Sequence, residues 1–235
     1  MYGCEELPEG QPVLCDVLLE AADGTQRVLP YPDAELTRLD INEGSTVTLR
    51  DHRLTKAAHK VYFTRHGETV WNVENKICGM TDSPLTEKGR AQARELGEKL
   101  RASGLRIDEI LYSPLSRAAD TARAIAEATG IPARCEPRLR EQCFGRYEGT
   151  PRNGEEFRIS KTHFADRYSG GESMMQLAQR IYNLLDELRA DTDKTYLLVA
   201  HNGIARVVQS YFYDMTNEEY AAAGIKNCEF VEFTF

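Results

Sequence analysis

Two arginines and two histidines lie where short apolar segments of this sequence end. Arg65 and His66 close the segment "VYFTRH", and His201 follows "LLVA". Arg117 lies four residues beyond Ser113, which ends "ILYS". Like charges gather only around an ion of opposite charge, and guanidinium groups match the oxygens of a phosphoryl group bidentately. The four residues therefore predict a binding site for a phosphoryl group.

Such a site requires strands that end side by side. From about residue 59 onward, apolar β-type runs alternate with longer amphipathic segments, which predicts alternating strands and helices. The predicted strands are Lys60–Thr64, Asp108–Ser113, Thr195–Ala200 and Glu229–Phe235, and the predicted helices are Thr86–Ser103, Ser116–Thr129 and Ser173–Ala190. This order is typical of an α/β fold, with three α/β/α layers and a mostly parallel central sheet. Ligands bind beyond the carboxyl ends of the strands in such sheets.

Short signals mark the ends of two of these helices. Gly130, followed by Pro132, has the position of a residue that ends a helix in the left-handed conformation. Ser173 and Gln176 have capping-box spacing, which favours a helix-capping role for Ser173 over contact with a ligand. The sequence leaves the role of Glu172 open.

Residues 1–58 predict a separate, small β-rich module, and residues 59–235 the α/β domain. Strands are predicted at Val13–Glu20, Thr25–Pro30 and Ser45–Arg50, with a hairpin turn at Ala22–Gly24. The segment "DHRLTKAAHK" resembles a polar linker. The module contains no recognisable catalytic or metal-binding pattern. Its acidity and small size suggest an interaction or oligomerisation role, such as formation of a homo-oligomer through this module.

Charge and composition exclude several classes of function. The net charge is −8, and residues 1–58, with 11 acidic and 5 basic residues, carry most of it. A protein of this charge does not attract polyanions, so we expect no nucleic-acid partner. No apolar run approaches the roughly 20 residues of a membrane span, so we expect no membrane partner. Six cysteines without regular spacing and an acidic N-terminus without an apolar core predict reduced thiols and a cytoplasmic location.

Six motifs follow one another between residues 60 and 235. They are "RHGET" with Asn72 six residues after His66, "CGMTDSPLTEKGRAQA", "YSPLSRAADTA", "LREQCFGRYEG", "GGES" and "VAHNGI". In order and spacing they resemble the histidine phosphatase superfamily, whose members include cofactor-dependent phosphoglycerate mutases, α-ribazole phosphatases and fructose-2,6-bisphosphatases. The similarity is greatest to the α-ribazole phosphatase and broad-specificity branch. The resemblance implies a phosphoglycerate mutase-like domain and leaves the N-terminal module unexplained.

The resemblance also implies a role for each matching residue. His66 is expected to be the nucleophile that forms a phosphohistidine, and Glu141 the acid that protonates the leaving oxygen and later activates water. The expected phosphate ligands are Arg65, Arg117, His201, Asn72, the backbone N–H of Asn202, Cys78 and Gly79. The alternative for Cys78 is a structural role as a small, buried apolar residue. No metal and no cofactor are expected, since cationic side chains neutralise the phosphate and the histidines lack zinc-type spacing.

Departures from the family pattern favour a phosphatase over a mutase. Glycolytic mutases carry an arginine where this chain has Gln142, together with a long basic insertion. Here the segment between Gly149 and Gly170 is short, although Arg152, Arg158, Lys161 and Arg167 are close enough in sequence to reach a substrate. We therefore expect a phosphatase acting on a small phosphorylated substrate, whose identity the sequence leaves open. A phosphoglycerate mutase and a non-catalytic phosphate-binding protein are the alternatives.

Overall fold

The computed structural model describes residues 12–56, without 22, 40, 44 and 46, and residues 59–235. The chain forms two units, Met1–Ala58 and His59–Phe235. Each unit has a hydrophobic core of its own, because the described residues cluster into separate groups of buried apolar side chains.

The N-terminal unit contains two antiparallel hairpins and one short helix. Its elements are β1 (Leu14–Glu20), β2 (Gln26–Pro32), α1 (Asp33–Arg38), β3 (Val47–Arg50) and β4 (Arg53–Lys56). Buried Leu29, Tyr31 and Leu54 form its core, and the Tyr31 hydroxyl accepts a hydrogen bond from the Leu54 N–H at 3.1 Å. The predicted β-rich character and first hairpin are confirmed.

The prediction of a polar linker after residue 50 is wrong in its first part. Asp51 and His52 have positive φ values of 48° and 61°, so they form a tight turn that returns the chain along β3. Leu54 then points into the small core while its neighbours are exposed. A short strand with one buried residue has too little apolar patterning to be distinguished from a linker in the sequence.

The second unit is built around a five-stranded sheet in the order β7-β6-β8-β5-β9. Its elements are β5 (Lys60–Arg65), α2 (Val70–Val73), α3 (Glu87–Ser103), β6 (Glu109–Tyr112), α4 (Ser116–Thr129), β7 (Ala133–Cys135), α5 (Glu155–Ser160), α6 (Met174–Ala190), β8 (Tyr196–Ala200), α7 (Asn202–Phe212), α8 (Asn217–Ala222) and β9 (Phe230–Thr234). The strands pair in parallel except β9, which is antiparallel to β5. The predicted α/β fold with a mostly parallel sheet is confirmed.

The central strand β8 shows why the sheet is covered on both faces. Leu198 and Ala200 belong to the core shared with α6 and α7, whereas Leu197 and Val199 belong to the core shared with α3 and α4. All five residues of β8 are buried. Burying one such aliphatic side chain contributes roughly 1.5–3 kcal/mol, so an uninterrupted apolar run is stable only between two layers of helices.

The predicted helix ends are confirmed at both marked positions. Gly130 ends α4 with a φ of 75°. Ser173 caps α6 by accepting a hydrogen bond from the Gln176 N–H at 3.2 Å, and the Gln176 side chain accepts one from the Ser173 N–H at 3.1 Å. Within the described part of the chain, no helix has the length and apolar character needed to cross a bilayer.

Candidate active site

Three adjacent strand ends bring the predicted residues together. β8 lies between β5 and β6 in the sheet. The N–H of His66 donates to the carbonyl of Ala200 at 3.0 Å, and the N–H of Ser113 donates to the carbonyl of Val199 at 3.1 Å. His66, Ser113 and His201 therefore follow neighbouring strands at one edge of the sheet, as expected for a ligand site in this architecture.

The ring of His66 is held by the backbone through one of its two nitrogens. Its Nδ1 donates to the carbonyl oxygen of Gly67 at 2.7 Å, and because a carbonyl only accepts, Nδ1 carries the proton. Nε2 is then left with a free lone pair. Burial lowers the pKa of His66 well below its usual value, and the charges of Arg117 and Arg65 lower this pKa further. The imidazole is consequently neutral at pH 7.

His201 is completely buried and packs against His66, with the ring centroids 5.1 Å apart. Its Nε2 lies 2.6 Å from the Ser113 hydroxyl oxygen, which also accepts the N–H of Leu115 at 3.4 Å. The hydroxyl can donate its hydrogen to Nε2, and on this basis we assign the proton of a neutral His201 to Nδ1. Burial, followed by the charge of Arg117, lowers the pKa of His201 well below its usual value.

Three buried donors at this place have no protein partner. Among the described residues, the buried side-chain nitrogens and oxygens without a hydrogen bond are Arg65 Nε, Arg117 Nε and His201 Nδ1. The two guanidinium groups are otherwise fixed, by the carbonyls of Ile225 at 3.1 Å and Gly79 at 2.7 Å. Burial lowers the pKa of Arg65 to about 10, which leaves it cationic. An unpaired buried donor costs about 1–3 kcal/mol, so the three together indicate an anion site.

Glu141 is held at the N-terminus of α7. Its Oε2 accepts the N–H of Gly203 at 3.0 Å, and its Oε1 accepts the N–H of Gln142 at 2.9 Å. A Cβ atom on Gly203 would lie 2.4 Å from Oε1, so only glycine permits this approach. The carboxylate is buried and lines the same pocket as His66.

Two asparagines contribute to the site in different ways. The Asn72 side-chain oxygen accepts the N–H of Thr69 at 3.2 Å and the side-chain N–H of Asn227 at 3.3 Å, which leaves its own NH₂ group for the pocket. The Asn202 side chain instead accepts the N–H of Ile225 at 3.0 Å. Its backbone N–H occupies the first position of α7, where a helix has no internal acceptor for it.

Cys78 and Gly79 have different positions relative to the pocket. Cys78 lines it, and its thiol donates to the carbonyl of Thr81 at 3.3 Å. Burial raises the pKa of this thiol. Gly79 is not part of the lining: a Cβ there would lie 2.3 Å from the Gln142 carbonyl, and its own carbonyl accepts from Arg117. Gly79 therefore positions an arginine through its backbone.

The pocket is small and strongly cationic. Its volume is about 100 Å³, and its lining includes Arg65, Arg152, Lys161 and Arg206, with Glu141 as the acidic side chain. Arg117 and His201 are more deeply buried and do not contribute to the lining surface.

Of the basic residues predicted in the short segment, the structure brings Arg152 and Lys161 to the pocket. It leaves Arg158 and Arg167 outside the lining, both exposed. The segment packs on the pocket wall through a cluster in which Phe157 meets Tyr168.

The sequence did not identify Ser113 as the partner of His201, nor Asn227 and Arg206 as site residues. Arg206 could have been found, because it lies four residues after Asn202 on one helix and hence on the same face. Asn227 had no such signal, since it lies in an irregular segment before β9 that only the fold brings to Asn72. Among the described residues, no group of three or more His, Cys, Asp or Glu side chains is arranged to hold a metal ion.

The fold is an α/β domain in which two histidines and three unpartnered buried nitrogens lie at one edge of the sheet. Residues 61–235 match the family model of the histidine phosphatase superfamily (branch 1). The chain belongs to this superfamily, and the resemblance noted in its motifs is confirmed.

Curated relatives of this chain have names that refer to a mutase. The probable phosphoglycerate mutase GpmB of Enterobacter sp. (strain 638) is 42% identical over 154 residues, which is 62% of this chain and 70% of the relative. The protein of the same name from Yersinia pestis (strain Pestoides F) is 34% identical over 177 residues, or 72% of this chain and 81% of the relative.

Similar solved structures have names that refer to hydrolases. A mycobacterial glucosyl-3-phosphoglycerate phosphatase in complex with VO3 has 30% sequence identity and a TM-score of 0.65, over 74% of this chain and 90% of that one. Mycobacterial hydrolase 1 has 29% identity and a TM-score of 0.66, over 75% and 92%. The α-ribazole phosphatase of Shigella flexneri, at 24% identity and a TM-score of 0.63 over 74% and 89%, shares the fold.

Proposed function

We propose that the protein is a metal-independent phosphomonoesterase that acts on a small phosphorylated metabolite through a phosphohistidine at His66. The observation that carries the proposal is the set of three unpaired buried donors around a neutral histidine. Arg65, Arg117 and His201 each leave one buried side-chain nitrogen without a protein partner, and all three lie close enough to His66 to interact with it electrostatically. A phosphoryl group has the oxygens to accept all three.

The first half of the reaction transfers the phosphoryl group to the enzyme. The Nε2 lone pair of His66 attacks phosphorus while the bond from phosphorus to the ester oxygen breaks. Glu141, in its protonated form, gives its proton to the departing oxygen, and the alcohol leaves. Arg65 and Arg117 neutralise the charge on the three remaining oxygens, as preorganised donors do in phosphoryl transfer.

The second half releases phosphate. Glu141, now a carboxylate, takes a proton from a water molecule as the water oxygen attacks phosphorus. The bond from phosphorus to Nε2 of His66 breaks, its electron pair returns to the ring, and inorganic phosphate departs. The hydrogen bond from Nδ1 to the Gly67 carbonyl keeps the ring in one tautomer throughout.

The surroundings of Gln142 support hydrolysis over mutase activity. This residue is buried, and its side-chain N–H donates to the backbone carbonyl of Glu172 at 2.9 Å. It therefore does not replace the arginine that mutases direct at the substrate carboxylate. The names of the curated relatives favour the alternative, a cofactor-dependent phosphoglycerate mutase.

Phosphate release from a panel of phosphomonoesters, with EDTA present, tests the proposal. The wild type is expected to turn over at least one ester, and His66→Ala to lose at least about a thousandfold in rate. His163→Ala, a change at an exposed histidine of the same domain, is the matched control and is expected to retain the activity. An acid-labile phosphoryl group should be recovered from the wild type quenched during turnover.

A separate assay with 3-phosphoglycerate and catalytic 2,3-bisphosphoglycerate distinguishes the alternatives. Mutase activity without phosphate release would replace the phosphatase by the mutase. Tight phosphate binding without turnover of any ester would leave a non-catalytic binding protein. Loss of all activity in EDTA that zinc or magnesium restores would contradict the metal-independent reaction.

A further inference from the structure

Three cations of the pocket have no role in the proposed transfer at His66. Arg152, Lys161 and Arg206 line the pocket together with the catalytic residues. Arg152 Nε donates to the Lys76 carbonyl at 2.8 Å, and Arg206 Nε donates to the Ala223 carbonyl at 2.6 Å. No carboxylate among the described residues forms an ion pair with any of these three cations.

The positive charge is disfavoured at two of these cations, Arg152 and Lys161. Burial lowers the pKa of Arg152 and of Lys161, and the charge of Arg206 lowers both further. The Lys161 ammonium is held over the ring of Phe157, 4.8 Å from its centroid. Such a cluster is stabilised when an anion binds between its members.

A second cavity adjoins the reaction pocket and shares two of the three cations with it. Lys161 and Arg206 line both the reaction pocket and a neighbouring cavity of about 360 Å³. The apolar part of that cavity is formed by Phe164, Met174, Tyr220 and Ala221, and its polar rim by Arg158, Thr162, Asn217 and Glu218. The reaction pocket, at about 100 Å³, is too small for a whole metabolite. The neighbouring cavity falls within the range of roughly 300–1,000 Å³ that is typical of ligand sites.

We propose that the leaving group of the substrate carries a second anionic group, bound by Arg152, Lys161 and Arg206, and an apolar portion that occupies the neighbouring cavity. This inference rests on the proposed function, because it takes the phosphoryl group to lie at His66. The substrate class is thus a phosphomonoester with a further negative charge near the phosphate and an apolar or aromatic group beyond it.

Matched aryl esters test the second anion. We expect the ratio of kcat/KM for 3-carboxyphenyl phosphate to that for phenyl phosphate to fall about tenfold in Lys161→Met, which keeps the apolar stem and removes the charge. Arg167→Met, at an exposed arginine of the same segment that lines neither cavity, is expected to keep the wild-type ratio. An equal ratio in wild type and Lys161→Met would overturn this half of the inference.

A blocking substitution tests the apolar portion. Ala221 lines the second cavity on α8, and the adjacent Ala222, equally exposed, does not. We expect Ala221→Trp to reduce the preference for 2-naphthyl phosphate over phenyl phosphate at least fivefold, and Ala222→Trp to leave it unchanged. A preference that both variants share with the wild type would show that the leaving group does not enter this cavity.

Binding to His66→Ala separates this inference from the proposed function. Calorimetry with 3-carboxyphenyl phosphate and phenyl phosphate measures the second anion site without turnover. If His66→Ala binds the carboxylated ester more tightly than phenyl phosphate, and adding Lys161→Met removes this difference, the subsite is supported. This holds even if the wild type hydrolyses neither ester. Equal affinities of the two esters, in a wild type that does hydrolyse them, would overturn the subsite and leave the phosphatase intact.

Discussion

The two histidines at the centre of the site differ in the atom that holds each ring. His66 is fixed through Nδ1 by a backbone carbonyl, so its Nε2 faces the pocket as a lone pair. His201 is held through Nε2 by the Ser113 hydroxyl, so its Nδ1 is left buried without a protein partner. Under the proposed function, the same type of side chain acts as a nucleophile at position 66 and as a hydrogen-bond donor at position 201.

Removing the Ser113 hydroxyl should disturb the position and the tautomer of the His201 ring. We expect Ser113→Ala to lower kcat/KM by about 10- to 100-fold, as the loss of a residue that orients a functional histidine typically does. Nitrogen chemical shifts of the His201 ring should show a mixture of tautomers in the variant. Ser116→Ala, at an exposed serine of the next helix, serves as control. A Ser113→Ala enzyme with wild-type kinetics and a single His201 tautomer would rule out the positioning role.

The lowered histidine pKa values also predict a dependence of stability on pH. In the unfolded chain each ring takes up a proton as pH falls below about 6.5, whereas in the folded protein it does so only at lower pH. The free energy of unfolding should therefore fall between pH 6.5 and the folded pKa, by up to about 1.4 kcal/mol per pH unit for each histidine. Above pH 6.5 the protonation of these two histidines should not change the free energy of unfolding.

Urea denaturation in phosphate-free buffer between pH 5 and 7.5 measures this dependence. His201→Gln should lose stability less steeply than the wild type on acidification, and His163→Gln, at an exposed histidine, should keep the wild-type slope. Parallel curves for wild type and His201→Gln would contradict the depressed pKa of His201.

At the scale of elements, the start of α7 brings together two residues of the candidate active site, His201 and Glu141. It follows His201 directly, and its second residue, Gly203, donates to Glu141. The short distance between this helix and the loop carrying Glu141 exists because Gly203 has no side chain. A helix N-terminus is also a favourable place for a carboxylate or a phosphate.

Gly203→Ala should therefore displace Glu141. We expect a loss in kcat on the order of a hundredfold with phenyl phosphate, since small displacements of a catalytic group have effects of this size. The loss should be smaller with 4-nitrophenyl phosphate, whose leaving oxygen needs less protonation. Gly154→Ala, where an added Cβ would make an ordinary contact of 3.4 Å, is the control. An equal loss with both esters would argue against the proton-donor role of Glu141.

At the scale of the whole molecule, the candidate active site and the small β-rich module belong to different units of the chain. All the site residues lie in His59–Phe235, and the superfamily match begins at residue 61. The N-terminal unit carries most of the net negative charge and exposes Val13, Leu18 and Val28. We retain self-association through this unit as a proposal.

Deleting residues 1–58 tests whether the α/β domain acts without the N-terminal unit and whether this unit mediates self-association. The remaining domain is expected to keep kcat/KM within about twofold, because it contains the complete site and its own core. Light scattering should report a smaller number of chains per particle for the shortened protein than for the full chain. An unchanged number of chains with unchanged kinetics would remove the proposed role of the unit.

The sequence by itself determined the main strands, the helix ends at Gly130 and Ser173, and the order of the motifs. Apolar runs and capping residues act over a few positions, so they can be recognised without a structure. The residues gathered at the strand ends, His66, Ser113 and His201, could be predicted because parallel strands end at one edge of a sheet.

Only the tertiary structure decided which ring nitrogen of each histidine is hydrogen-bonded within the protein. The tautomers of His66 and His201 depend on partners that are distant in sequence or belong to the backbone. Arg206 and Asn227 join the site through folding of the last third of the chain. These contacts have no local signature, because their partners are separated by many residues and come together only when the sheet and its helices have packed.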